Sequence, residues 1–242
     1  MSRLGLPDDI RACLFDLDGV LTNTAAVHRA AWREVFDSVL AQRDQSPFTD
    51  DDYVRYVDGK PRRDGVRDFL AGRGITLPEG TRDDPPEADT IAGVGNRKNA
   101  LLLERLERDG VELLPGSIEY LQAVRDAGVR TAVVTSSANG AHVIRAAGLE
   151  DLVEERVDGV VAERDGLPGK PQPDTFLAAA RRLGVEPVAA AVFEDALAGV
   201  AAGRSGGFGF VVGVDRGGQA AALRDHGADI VVSDLQDLLS AS

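Results

Sequence analysis

Short, unbroken apolar runs alternate with stretches of helical periodicity through the second half of the chain. Residues 129–135, 189–193, 208–214 and 229–232 read as strands, residues 157–161 are a further strand candidate, and residues 11–15 form an early strand of the same type. Residues 139–147, closed by Gly148, and 173–183, closed by Gly184, read as helices, as do the segments around 196–202 and 218–226. Runs that are apolar throughout suit strands buried on both faces. Their alternation with helices predicts a parallel sheet covered on both sides.

The pattern changes between residues 24 and 109. His28, Trp32, Val35, Phe36, Val39 and Leu40 fall at helical spacing, and residues 50–57, 62–71 and 96–108 also read as helices, with no strand candidate nearby. Residues 81–90, rich in Asp, Glu and Pro, read as an exposed loop. The expected fold class is α/β: a doubly wound, mostly parallel sheet from residues 1–23 and 110–242. An α-helical cap domain, residues 24–109, is inserted after the first strand.

A chain of 242 residues with 43% hydrophobic content can bury a core of this kind. It carries 27 Lys plus Arg against 40 Asp plus Glu, a formal net charge of −13. That balance disfavours nucleic acid and anionic membranes as partners, but leaves room for a small anionic substrate in a locally basic pocket. The single cysteine, Cys13, excludes an intrachain disulfide framework or thiolate zinc cluster. Within Ala12-Cys13-Leu14-Phe15 it reads as a small buried hydrophobe. No basic-then-apolar leader and no apolar stretch near ~20 residues is visible, so a soluble, cytoplasmic protein is expected.

Four segments carry the candidate chemistry. In Phe15-Asp16-Leu17-Asp18-Gly19 the acids sit two apart, so their side chains leave an extended chain on the same side. They do so at the edge where open parallel sheets bind ligands. Close carboxylates repel unless a proton or cation separates them, and a divalent ion supplies that charge. One acid can then attack phosphorus while the other moves protons; the plain alternative is an Asp-Gly turn. Val133-Val134-Thr135-Ser136-Ser137 runs into a helix start near Asn139, where hydroxyls and backbone N–H groups form a phosphate cradle, with N-capping by Ser137 or Asn139 as the alternative. Gly169-Lys170-Pro171-Gln172-Pro173-Asp174 holds Lys170 on an extended stem, either as a fixed cation for the nucleophile and phosphoryl group or as a solvated lysine beside a helix start. Val192-Phe193-Glu194-Asp195 repeats the acid pair, with Asp195 suited to a hard-cation site or to an N-cap ahead of Ala196. Together these segments supply nucleophile, phosphate donor, cation and metal acid, in that order. The chemistry they point to is phosphoryl transfer assisted by a divalent cation.

This order of motifs resembles the haloacid dehalogenase superfamily over residues 11–19 and from Leu114 onward, and the helical insert resembles that of its β-phosphoglucomutase-like subfamily. The resemblance implies Asp16 as the phosphorylated nucleophile and Asp18 as general acid/base. It implies Mg2+ held by Asp16, the Asp18 carbonyl and Asp195, with Glu194 in support. Thr135, Ser136 and Lys170 would grip the transferring phosphoryl group, with Ser137 and Asn139 as further substrate-binding candidates. In the insert it implies Thr24 and His28 as the pair that orders the acid/base. Gly59-Lys60-Pro61-Arg62 would offer Arg62 to the second phosphate, with adjacent Arg63 as the competing candidate, and Asn96-Arg97-Lys98-Asn99 would bring Lys98 near the sugar. His28 equally fits the apolar helical face as a core residue, and Trp32 reads as core.

The implied activity is an isomerase interconverting β-D-glucose 1-phosphate and glucose 6-phosphate through an aspartyl phosphate and a sugar bisphosphate. The alternative is a phosphatase of the same fold acting on a sugar phosphate or other small phosphomonoester. A small sugar phosphate is the implied partner, and a monomer or weak dimer the expected state. Asn23 stands where many relatives place an aspartate, Ala138 where the subfamily has a lysine, and residues 74–94 form a longer polar stretch, which leaves the sugar open. The glycine cluster 203–209 lacks a phosphate-loop or nucleotide fingerprint and reads as a turn leading into a strand.

Overall fold

Every residue of the first strand, β1 (Ala12–Phe15), is buried, as a strand covered on both faces must be. The computed structural model describes residues 3–240. After β1 come four helical segments: α1 (Ala25–Ala41), α2 (Asp50–Asp52) with a wider turn over Tyr53–Val57, α3 (Arg62–Gly72) and α4 (Ile91–Asp109). The alternating part follows: α5 (Pro115–Asp126), β2 (Arg130–Val134), α6 (Gly140–Ala146), β3 (Glu155–Val157), α7 (Gly159–Asp165), α8 (Asp174–Leu183), β4 (Ala190–Glu194), α9 (Leu197–Ser205), β5 (Phe210–Val214), α10 (Ala220–Asp225), β6 (Ile230–Val232) and α11 (Asp237–Ser240). Two compact units result, one from the residues up to Asn23 and from Val111 on, the other Thr24–Gly110. No helix among the described residues is long and apolar enough to cross a membrane.

The sheet runs β3-β2-β1-β4-β5-β6, and each adjacent pair is parallel. Strand order reverses at β1, which makes the carboxyl ends of β1 and β4 the switch point where open sheets take ligands. Phe15 is level with Val133 on β2 and Phe193 on β4. The residues that follow these three therefore emerge side by side at that edge. The floor beneath them is aromatic: Phe15 stacks on Phe193 at 4.5 Å and meets Tyr120 edge-on at 6.4 Å, while the Tyr120 hydroxyl donates to the Leu4 carbonyl at 2.8 Å. Cys13 is fully buried, and burial pushes its thiol well above the usual range, consistent with a packing role.

Three expectations need correction. The strand expected over 157–161 stops at Val157, because the Asp158 side chain accepts the Val161 N–H at 3.0 Å and starts α7. The helix expected from residue 96 begins at Ile91, since the Thr90 hydroxyl accepts the Gly93 N–H at 2.9 Å and caps it. Gly203 lies within the last turns of α9 rather than in a loop. Helix α5 was not foreseen; Pro115 at its first position opens it.

In the helical unit, Trp32, Val35, Phe36, Val39 and Leu40 bury one face of α1, and Phe36 meets Phe69 of α3 at 4.1 Å between ring centres. A capping box at the start of α2 joins Thr49 and Asp52, and Asp52 also pairs with Arg73 just past α3. Partial burial pushes the Asp52 carboxyl up, but hydrogen bonds from Arg73 and Thr49 outweigh it and hold the group below the usual carboxylate range. Its stabilising contribution is therefore present above about pH 4 and lost as pH falls through the depressed folded value. Asp52→Asn should lower stability by about 1–2 kcal/mol at neutral pH. In denaturant titrations the gap from wild type should close in acid, and a gap that stays constant would contradict the assignment.

Candidate active site

The chain leaves β1 at Asp16, which is buried, with its N–H bonded to the Phe193 carbonyl at 2.9 Å. It then turns tightly. Leu21 and Thr22 both donate to the Leu17 carbonyl at 3.0 Å, and the Gly19 N–H to the Thr22 carbonyl at 2.7 Å. Gly19 has φ +91, and a Cβ there would fall 1.9 Å from Asp195 Oδ2. No other residue lets the backbone approach that carboxylate so closely.

Lys170 closes the cluster from the loop before α8. Its Nζ donates to Asp16 Oδ1 at 2.5 Å, to the Val134 carbonyl at 3.0 Å and to Glu194 Oε1, and it lies 4.9 Å from the Phe176 ring centre. Only 2% of Lys170 is exposed, so the solvated-lysine alternative is excluded. Glu194 is equally buried; its second oxygen accepts the Ala196 N–H at 3.1 Å. Helix α9 faces that carboxylate with Gly199, where a Cβ would sit 1.9 Å from Glu194 Oε1. The N-cap position of α9 is Ala196, bonded by Glu194 rather than by Asp195.

Asp16, Glu194 and Asp195 each offer an oxygen within 4.8 Å of the others. These carboxylates outnumber the single ammonium of Lys170. Burial pushes Asp16 well above the usual carboxylate range; Lys170 opposes this, and the Glu194 and Asp18 charges add to it. Burial alone would lower Lys170, but the charges of Asp16 and Glu194 override it and hold it protonated. The site thus carries excess negative charge among hard oxygen donors, which fits a small divalent cation. Both Glu194 oxygens are already engaged, so Asp16 and Asp195 are the better side-chain ligands and Glu194 fixes Lys170.

Thr135 follows β2, buried, with its N–H on the Val157 carbonyl at 3.1 Å. Its hydroxyl donates to Asp18 Oδ2 at 3.2 Å and accepts the Ser137 N–H at 3.1 Å, while Ser137 Oγ accepts the Asn139 N–H at 3.2 Å. The hydroxyl expected to face phosphate therefore also orients the second acid. Ser136, Ser137 and Asn139 are half-buried along the same turn. One unit thus brings Asp16, Asp18, Thr135, Lys170, Glu194 and Asp195 together.

The remaining candidates lie in the helical unit. Thr24 is buried at the start of α1, its carbonyl accepting the His28 N–H at 2.9 Å. His28 Nδ1 lies 3.0 Å from Lys98 Nζ, which sits 5.0 Å from the Trp32 ring centre. Lys98 is buried, although it lies on the polar-looking stretch of α4. Arg62 opens α3 with its stem facing Gly95, 3.4 Å from where a Cβ would be. Arg63 instead donates to the Gly80 carbonyl at 3.2 Å, and Asn96 and Arg97 bond the carbonyls of Arg82, Asp84 and Pro86. Arg63 thus pins the polar loop. Three residues that support the site, Gly199, Arg216 and Gln219, carried no sign of this in the sequence.

A family model described as haloacid dehalogenase-like hydrolase matches residues 10–207. The chain belongs to this family. Within the family it is 55% identical to β-phosphoglucomutase of Mycobacterium bovis, over 98% of this chain and 94% of that protein. It is 32% identical to β-phosphoglucomutase of Bacillus subtilis, over 95% and 92% of the two chains. A crystal structure of β-phosphoglucomutase from Clostridium difficile superposes with a TM-score of 0.75 at 25% identity, covering 95% of this chain and 93% of that one. This haloacid dehalogenase-like chain therefore sits in the β-phosphoglucomutase-like branch, and the likeness spans the helical insert as well as the sheet.

Proposed function

We propose that this family member interconverts β-D-glucose 1-phosphate and glucose 6-phosphate through a sugar bisphosphate, with Asp16 as the phosphoryl carrier. The observation that carries the reading is the full-length likeness to the mycobacterial β-phosphoglucomutase, helical insert included. In the proposed reaction a carboxylate oxygen of Asp16 attacks phosphorus, the bond from phosphorus to the departing sugar oxygen breaks, and Asp18 gives that oxygen a proton. In the reverse sense Asp18 takes the proton of the other sugar hydroxyl as it attacks the aspartyl phosphate. Lys170 holds Asp16 in place and offsets charge on the phosphoryl oxygens, while Ser136 donates to them and the Thr135 hydroxyl turns its one proton from Asp18 to them when the phosphoryl group binds, flanked by Ser137 and Asn139. Asp16, the Asp18 carbonyl and Asp195 would hold Mg2+, which when bound would add positive charge beside the phosphoryl group.

A bisphosphate intermediate needs a second anion clamp, which a simple phosphatase lacks. Arg62 takes that role, because a guanidinium grips phosphate through two parallel hydrogen bonds. Thr24, His28 and Lys98 bind the sugar end. Arg62→Ala should reduce isomerisation about 10- to 100-fold while changing hydrolysis of a small aryl phosphate less than about threefold. Equal losses on the two substrates would leave Arg62 a structural residue.

The reading is tested by supplying Mg2+, β-glucose 1-phosphate and a trace of glucose 1,6-bisphosphate, and following glucose 6-phosphate and free phosphate together. Glucose 6-phosphate should dominate. Dominant phosphate release would overturn the isomerase in favour of the hydrolase that shares every core residue, and neither product would mean a different substrate.

A further inference from the structure

Asp215, just past β5, accepts the backbone N–H groups of Gly217 at 3.1 Å, Gly218 at 2.7 Å and Gln219 at 2.9 Å, which fixes the loop between β5 and α10. Strand β5 pairs Gly213 with Glu194, so this loop rises directly beside the acid pair of β4. From it, Gln219 Nε2 donates to the Asp195 carbonyl at 2.8 Å. Arg216 Nε donates to the Gly19 carbonyl at 2.9 Å, in the turn that carries Asp16 and Asp18.

We infer that Arg216 and Gln219 form a clamp that sets the spacing between the Asp16–Gly19 turn and Asp195, and with it the affinity of the site for a divalent cation. The inference rests on the acidic cluster being the metal and phosphoryl-transfer site. The Arg216 guanidinium cannot swing, because its other nitrogens bond the Ser233 carbonyl at 2.8 Å, Asp234 Oδ2 at 3.4 Å and Ser117 Oγ at 3.4 Å. A planar fork fixed at several corners fixes what it donates to, whereas a lysine at the same place offers only a point charge. Gly19 is the other half of the arrangement, since its missing Cβ lets the turn close on the Asp195 carboxylate. Two carbonyls on two acid-bearing loops are thus held by neighbouring side chains of a third loop. That is how outer groups ordinarily orient metal ligands. Arg216 and Gln219 are positioning residues and touch neither substrate nor ion.

The test uses the full-length chain and Mg2+ alone, titrated calorimetrically, alongside thermal unfolding. Gln219→Ala removes only the Asp195 arm, and Arg216→Lys keeps the charge but not the fork. Each should weaken Mg2+ binding about tenfold. Gln219→Ala should leave the melting temperature within about 2 °C of wild type. Saturating Mg2+ should then restore turnover to within about threefold of wild type, a split that loss of a catalytic group does not give. Wild-type Mg2+ affinity in both variants would overturn the clamp, whatever their melting temperatures. Asp195→Asn separates the two failures: if it leaves Mg2+ binding unchanged, the reading of the acidic cluster falls, and the clamp with it.

Discussion

Asp16→Asn is expected to remove isomerisation by a factor of roughly 10⁴ or more, because an amide oxygen is too weak a nucleophile to form the acyl phosphate. The substitution is nearly isosteric and takes one negative charge from a buried cluster in which carboxylates outnumber the ammonium of Lys170. Relief of that repulsion should keep the melting temperature at or above the wild-type value in the absence of Mg2+. Loss of activity with retained or raised stability separates a nucleophile from a structural acid. Turnover within tenfold of wild type would sink the assignment.

Lys170→Met is the second large effect, and it should combine both losses. The ammonium has three protein acceptors, Asp16, Glu194 and the Val134 carbonyl, and its removal leaves two buried carboxylates without their counter-charge. Breaking a buried pair by deleting one partner costs about 3–5 kcal/mol. Turnover should fall about 10³-fold as the fixed charge against the phosphoryl group disappears. Equilibrium unfolding and initial rates measured on one preparation check both, and added Mg2+ should recover part of the stability but not the rate. A variant that is destabilised yet fully active once folded would make Lys170 a structural cation alone.

The sheet was legible in the sequence because strands buried on both faces read as continuous apolar runs, and β1, β2, β4 and β5 all lie within a residue or two of those runs. The exception is instructive. Gly159-Val160-Val161 has strand-like composition, yet one hydrogen bond from the Asp158 side chain turns it into a helix start. Thr90 acts in the same way and moves the beginning of α4 into what reads as polar loop. In both cases a local cap outweighed composition.

The chemistry of the site was legible as residue types at strand ends, but its geometry was not. Nothing in Gly169-Lys170-Pro171 distinguishes a solvated lysine from one buried between two carboxylates, because burial is set by residues far away in the chain. The supporting residues were less visible still. Gly199 matters only because Glu194 points at it, and Arg216 only because its guanidinium reaches a carbonyl 197 residues earlier. In the helical unit, two adjacent arginines could not be told apart in the sequence, whereas in the structure Arg63 donates to the Gly80 carbonyl and Arg62 lies beside Gly95.

The central claim is that phosphate passes through Asp16, and it is tested most directly by trapping the phosphorylated chain. Wild type mixed with Mg2+ and radiolabelled glucose 1,6-bisphosphate, and quenched in acid within the first turnover, should carry label that hydroxylamine releases, on the peptide containing Asp16. Asp16→Asn treated in the same way should carry none. Label on a different residue, or product formed at the wild-type rate with no labelled chain at any time, would contradict the account.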